Sequence, residues 1–352
     1  MRSFADEIRQ TISDCMRADE SIVLMGLGVN DPKGVFGTTL NLYKEFGENR
    51  IIETPTSENA MLGVAVGLSL AGFKVIHVHQ RLDFFLLAMD QLVNSAAKWN
   101  YMFGDKTPIN VTIRLILGRG WGQGPTHSQN LHAIFTHIPG VRVYMPSFAR
   151  DIRSMLEEAI DFPGPAIFLE DRWLHLQKHE IVPINQISKV PSKVKHSLAL
   201  STGNDVTVIS SGFLLIECLR AANSLQKSKL GVNVIDLKVL KPLDFELLVS
   251  YCRKSRLVFV VDSGPEFGNY GKEIAYQLNL YLKNLEQPVM VLSERDNHEP
   301  TSHGVIREFK LNSQKIAQFI FKNVFSTSAI PNFSELISDF PDIPDKSFQG
   351  PF

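Results

Sequence analysis

Short apolar runs alternate with longer periodic stretches along this chain. SIVLMGLGV (21–29), RIIETP (50–55), KVIHVH (74–79), INVTIRLIL (109–117), VRVYMP (141–146) and PAIFLE (165–170) are each a few residues long and rich in Val and Ile. Brief apolar runs bounded by turn residues predict buried strands. Helical periodicity fills the gaps: from Ser57 onward, over 84–99 and over 148–160. The same alternation returns later in the chain. DVTVISSG (205–212), VNVIDLKVL (232–240), LVFVVDSG (257–264) and PVMVLSE (288–294) read as strands. LLIECLRAANSLQ, EIAYQLNLYLKN and 312–322 read as helices. Strands alternating with helices predict an α/β fold of two doubly wound domains with mainly parallel sheets. The basic, polar stretch 171–203 has little helical period and reads as a connector. The expected division is a first domain over 1–185, a linker over 186–203, a second domain over 204–326 and a tail over 327–352.

Composition narrows the function classes. With 352 residues, 44% hydrophobic and 21% charged, the chain is an ordinary globular one. A net charge of −1 leaves no electrostatic footprint for nucleic acid. No apolar run approaches the roughly 20 residues of a membrane span, and the N-terminal MRSFADEIRQTISDCMRADE lacks the apolar centre of a signal peptide. Cys15, Cys218 and Cys252 are dispersed and odd in number. They suit a reduced, cytoplasmic protein and show no metal-ligand spacing.

Ligands of parallel sheets gather beyond the carboxyl ends of the strands. Three stretches there carry chemistry. In TPTSENAMLGVAVGLSLAG (54–72), Ser57 is a good N-cap and Glu58 opens the helix. The local reading is an acid placed to suit the helix dipole. Yet the helix behind it is apolar throughout, and Gly63, Gly67 and Ala71 line one face. Glycine inside a helix costs about 0.5–1 kcal/mol relative to alanine, so a close neighbour is expected on that face and a desolvated Glu58 at its mouth. In LGRGWGQGPTHSQ (117–129) the glycines match neither a phosphate loop nor a dinucleotide fingerprint. This is read as a mobile loop over a site, ending in His127; a plain loop histidine is the alternative, as is a loop anchor for Trp121. In HVHQRLDFFLLAMDQ (77–91), Gln80, Arg81 and Asp83 sit between a strand end and an apolar helix. Helix capping by Asp83 and core packing by Phe84 are the local alternatives.

Taken together, TPTSENAMLGVAVGLSLAG, GVFGTT (34–39), AMDQLVNSAAK (88–98) and GPTHSQNLHAIFTHIPGVRVYMPS (124–147) resemble the beta subunit of thiamine-diphosphate-dependent 2-oxo acid dehydrogenases, the decarboxylating component of the pyruvate and branched-chain complexes. VIDLKVLKPLD and DSGPEFGNYGKEIA resemble the C-terminal domain that these subunits share with transketolases. The resemblance implies that Glu58 hydrogen-bonds the aminopyrimidine ring of thiamine diphosphate and favours its imino tautomer. Phe84 falls on the position that packs on the ring, and Gln80 on a polar position beside it. His127 falls on the histidine that contacts substrate and assists acyl transfer; His137 also matches, with a structural role. The G-D-G segment that holds the diphosphate through Mg²⁺ is missing from the sequence. The resemblance therefore implies a partner alpha subunit that supplies it, in an α₂β₂ heterotetramer with beta–beta self-association and a lipoyl acyltransferase as acceptor. The Gly63–Gly67–Ala71 face would lie near a subunit interface.

The sequence departs from the family in places. Gly26-Leu27-Gly28 stands where an acid is usual, and Arg81, where smaller residues are commoner, is expected close to the cofactor. RDNHEPTSHGVIREFKLNSQKI (295–316) is similar to the end of transketolase, and its Arg295, His298 and His303 suit an anionic or sugar substrate. These departures keep a second reading open, a split transketolase-like or carboligating enzyme that transfers a two-carbon unit to a sugar or aldehyde.

Overall fold

A computed structural model of the protein describes residues 2–104, 106–119, 122–178, 197–199, 203, 205–338 and 343. Twelve strands are described: β1 (Ile22–Gly26), β2 (Ile51–Glu53), β3 (Lys74–His79), β4 (Val111–Leu117), β5 (Arg142–Tyr144), β6 (Ala166–Asp171), β7 (Ser197–Ala199), β8 (Val206–Ser210), β9 (Val232–Leu237), β10 (Val239–Lys241), β11 (Leu257–Pro265) and β12 (Met290–Glu294). They form two sheets, in the orders β10-β5-β6-β4-β3-β1-β2 and β12-β11-β8-β9-β7. All pairings are parallel except β10 on β5 and β7 on β9. Both sheets are layered with helices, so the α/β fold expected from the alternation is the fold found.

The inner strands are buried along nearly their whole length: β1, β4 and β6 have no exposed residue, whereas the edge strands β2 and β12 are only partly buried. Burial on both faces is what selects continuous apolar runs over alternating ones. The chain opens with the helix Phe4–Ala18, whose Ser3 and Asp6 form a reciprocal capping box. Its apolar stripe joins Ile152, Met155 and Leu156 of the helix Ala149–Asp161 in the core.

Three local expectations are corrected. First, VNVIDLKVL is two strands in different sheets. β9 pairs with β8, and after Lys238 the chain crosses to the first sheet, where β10 pairs antiparallel with β5. Second, the 84–99 helix begins earlier, at Leu82, and is interrupted. A 3₁₀ turn over Leu86–Ala88 is followed by a π segment over Gln91–Ala96 before α-helix resumes to Phe103. Third, the expected linker contains the edge strand β7; residues 186–196 of it, like Trp121, lie outside the described residues. The first part of the tail lies on the second sheet's helices: Ser224 donates to Glu335 at 2.6 Å and Phe333 is buried.

The strand exchange locks the two sheets together. The Lys238 ammonium is 2.7 Å from Asp151, and Ser147 donates to Asp236 at 2.8 Å, all four side chains buried. From the other side His132 reaches Asp262 at 3.0 Å, at the carboxyl end of β11. Asp262 also accepts the Gly264 and Gly271 N–H groups, and these donors with His132 hold its carboxyl below the usual range despite burial.

Candidate active site

In the first sheet β2 and β3 lie on opposite sides of β1, so the strand order reverses between β1 and β3. Ligand crevices form at such reversals. Leu27 follows β1 and Gln80 follows β3, and the Gln80 amide donates to the Leu27 carbonyl at 3.1 Å across the gap. Gln80 lies over Gly28, where a Cβ would come 2.8 Å from its Nε2 and the backbone has φ of +79°. A side chain at 28 would therefore be strained and would displace Gln80.

Glu58, Gln80 and Phe84 line one cleft here, with Met61, His77 and His79, around a cavity of about 20 Å³ that opens to solvent. Each arrives from a different element: Glu58 from the first turn of the helix Glu58–Leu70, Gln80 from the end of β3, Phe84 from the short helix Leu82–Phe85. His127 stands edge-on to Phe84, ring centroids 5.3 Å apart at 82°. Its Nδ1 is 2.8 Å from the Thr126 hydroxyl. Asp83 is not a helix cap; it accepts from the Gln129 amide at 2.8 Å and so ties the His127 loop to this helix. The four residues singled out in the sequence are thus brought together. His137 is not; it ends the helix His132–His137 at the surface.

The environment of Glu58 differs from the expectation. The carboxylate is half-buried, and Ser57 makes no side-chain cap. Only Leu62, Ala65, Val66 and Ser69 of that helix are buried, while Val64 and Leu70 are 46% and 36% exposed. A Cβ at Gly67 would meet nothing within 4 Å, and at Gly63 only Gln91 at 3.6 Å. Beyond Gln91 at Gly63, nothing among the described residues lies within 4 Å of Gly67, so in the single chain the face is open there.

Arg81 is also corrected. Its side chain turns inward and is buried. It donates to the Gly118 carbonyl at 2.9 Å and to Gln123, and lies over the Phe36 ring at 5.6 Å. Burial lowers its guanidinium to about 10, which leaves it charged at neutral pH. It anchors the loop that leads to His127.

Sequence reasoning missed three participants. Glu53, at the end of β2, accepts the Gly28 and Asn30 N–H groups at 2.6 and 3.2 Å. A carboxylate is thus present at the first crossing, supplied by the neighbouring strand in place of the residue after Gly26. An acid at a parallel strand's carboxyl end was the available signal. The others are His77 and His79, whose rings lie 4.2 Å apart in the cleft wall. Burial lowers His77 to about 4 and His79 well below its usual value, so both are neutral at pH 7. His77 Nδ1 and His79 Nε2 have no hydrogen-bond partner among the described residues. An aromatic face, a carboxylate, an amide and two unpaired ring nitrogens fit a heteroaromatic ligand with a polar edge.

Fold and site define a transketolase-type chain. Residues 2–175 match the transketolase pyrimidine binding domain and residues 196–316 the transketolase C-terminal domain. The chain is 31% identical to the pyruvate dehydrogenase E1 component subunit beta of Staphylococcus epidermidis, over 83% of this chain and 90% of that one. It is 30% identical to the 2-oxoisovalerate dehydrogenase subunit beta of Bacillus subtilis, over 89% and 96%. The match to the corresponding pyruvate dehydrogenase subunit of Rhizobium meliloti, 30% identical, spans 83% of this chain and 63% of that one. Among solved structures, an inactive β4 tetramer of a split-gene transketolase superposes with a TM-score of 0.74 at 20% identity, covering 92% of this chain and 98% of that one. The protein belongs to the family of beta subunits of thiamine-diphosphate-dependent 2-oxo acid dehydrogenases. No helix among the described residues is long and apolar enough to cross a membrane.

Proposed function

We propose that the cleft of Glu58, Gln80 and Phe84 holds the aminopyrimidine end of thiamine diphosphate in the decarboxylation of a 2-oxo acid, with His127 facing the reacting carbon. The observation that carries this is the convergence of these four residues, from separate elements, at the strand-order reversal. When bound, the cofactor supplies a nucleophilic carbon and an electron sink.

The chain's own residues have distinct tasks. Glu58 would hydrogen-bond the ring edge and share a proton with it. Phe84 presents its face to the ring, and Gln80 fixes the ring's rotation while bridging β1 and β3. The neutral pair His77 and His79 adds polar contacts without adding charge. His127 is a donor to the substrate oxygen, held in orientation by Thr126 and packed on Phe84. The face of Val64, Gly67 and Leu70 continues from Glu58 to the surface and suits a second protein surface.

That surface belongs, in this reading, to an α₂β₂ heterotetramer with beta–beta self-association. The alpha subunit supplies Mg²⁺ and the diphosphate contacts, since this sequence has no G-D-G segment. A lipoyl acyltransferase receives the acyl group. In the assembled enzyme, Glu58→Ala should slow turnover of 2-oxo acids by about 100-fold or more, the range of positioned proton transfer. Full activity in that variant would remove Glu58 from the mechanism.

A further inference from the structure

The segment from Gln80 to Phe84 divides its side chains between two structures. Gln80 and Phe84 line the Glu58 cleft, whereas Arg81 and Asp83 do not. Both of these hold the loop that carries His127. The backbone produces the division. Arg81 is extended, with φ of −146° and ψ of 143°, so its side chain leaves on the side opposite Gln80. The single turn Leu82–Phe85 follows, and from it Asp83 reaches Gln129 while Phe84 meets the His127 ring.

The loop is a compact turn held at both ends. The His127 N–H donates to the Gly124 carbonyl at 3.2 Å, and the Ser128 hydroxyl donates to the Gln123 carbonyl. Arg81 holds the start, through Gly118 and Gln123. Asp83 holds the end. One of its carboxylate oxygens accepts the Gln129 side-chain amide at 2.8 Å and the Gln129 backbone N–H at 3.3 Å. Such bonds to a carboxylate are about twice as strong as neutral ones. Two donors from one residue on one oxygen fix the direction of the chain at 129 as well as its distance. Arg81 and Asp83 also attract each other, so each anchor steadies the other. Position 129 is two residues from His127, and freedom there passes to the ring that stands edge-on to Phe84 at 5.3 Å.

We propose that Asp83 is a positioning residue for the reaction, acting through Gln129 to set the His127 ring against Phe84. The seat of the cofactor ring and the histidine that faces the substrate are then fixed by the same five residues. This rests on the reading of the Glu58 cleft given above. Because Asp83 does not line that cleft, its effect on rate runs through His127 and vanishes when the imidazole is removed.

A double-mutant cycle in the complex with the alpha-type partner, assayed with pyruvate and with 2-oxoisovalerate, tests this. Asp83→Ala should lower kcat about 10–100-fold, the effect of a misplaced group, with KM and thiamine diphosphate affinity within about twofold. In a His127→Ala background the same change should alter kcat by less than about twofold. Gln129→Leu should lower kcat in the same way, and decides in its place if Asp83→Ala fails to fold. Equal losses in the two backgrounds overturn this proposal and leave the assignment of the cleft standing. Full activity in His127→Ala overturns both. A readout without turnover is the rate at which diethyl pyrocarbonate modifies His127 in the cofactor-free chain, followed by peptide mass spectrometry. Asp83→Ala and Gln129→Leu should raise that rate about threefold or more as the ring leaves Phe84. An unchanged rate overturns the proposal, and this arm decides alone if neither acid is turned over.

Discussion

Arg81→Met should loosen the loop that leads to His127 while leaving both sheets folded. The guanidinium donates to Gly118, at the start of that loop, and to Gln123 within it. Hydrogen bonds to a charged group contribute about 1.5–3 kcal/mol each, and the stack on Phe36 about 0.5–2 kcal/mol. Two effects oppose this. Arg172 lies over the same ring at 4.5 Å and repels Arg81. Burying a guanidinium also costs several kcal/mol of hydration, which methionine avoids. The net local loss is then about 2–3 kcal/mol, or roughly 30–140-fold more frequent opening of the loop. Hydrogen–deuterium exchange of peptides spanning 118–131 reads this directly. Arg81→Lys, which keeps the charge but lacks the planar fork, should fall between. Exchange within about twofold of the parent in Arg81→Met would refute the anchoring role.

Three further outcomes are expected. Gly67→Leu should leave the single chain folded, since the position opens on empty space and leucine is the better helix former; sizing of the co-expressed complex should show lost assembly, and intact assembly would remove this face from the interface. Asp236, whose carboxyl burial pushes up to about 7 against the pull of Lys238, holds a proton in the folded chain that it loses in the unfolded one near pH 4. Its folded value is raised, so its contribution is full at low pH and is lost as pH rises from about 4 through about 7; thermal melting should fall less steeply between about pH 4 and 7 in Asp236→Asn, and equal slopes would contradict this. His127→Ala should retain thiamine diphosphate binding in the assembled enzyme and lower kcat by about 10²–10⁴-fold; a change in affinity alone would reassign the residue to binding.

The inner strands were legible because they are buried on both faces, which compels unbroken apolar runs. Glu58, Gln80, Phe84 and His127 stood out as candidates because ligand sites occupy the carboxyl ends of such strands, and the segments there are few. What pattern did not reveal was the partner of each group. Arg81 reads as a cation beside a strand end, and only the fold shows that Gly118, Gln123 and Phe36 draw it inward. Glu53 lies on a different strand from the loop it holds. The crossing of β10 to the other sheet is invisible in VNVIDLKVL because burial is continuous through Lys238, whose charge is met by Asp151 from the first half of the chain. The helix behind Glu58 looked buried because its exposed face carries the same small and apolar residues as its core face, a composition that suits an interface as well as an interior.

The central claim is that this chain contributes the Glu58 side of an active site completed by a second protein. The most direct measurement is a titration of thiamine diphosphate with Mg²⁺ against the purified chain alone and against the same chain co-expressed with its alpha-type partner. Tight, Mg²⁺-dependent binding should be seen only for the pair, and Glu58→Ala in the pair should weaken it or abolish turnover. Tight binding by the chain alone would contradict the account.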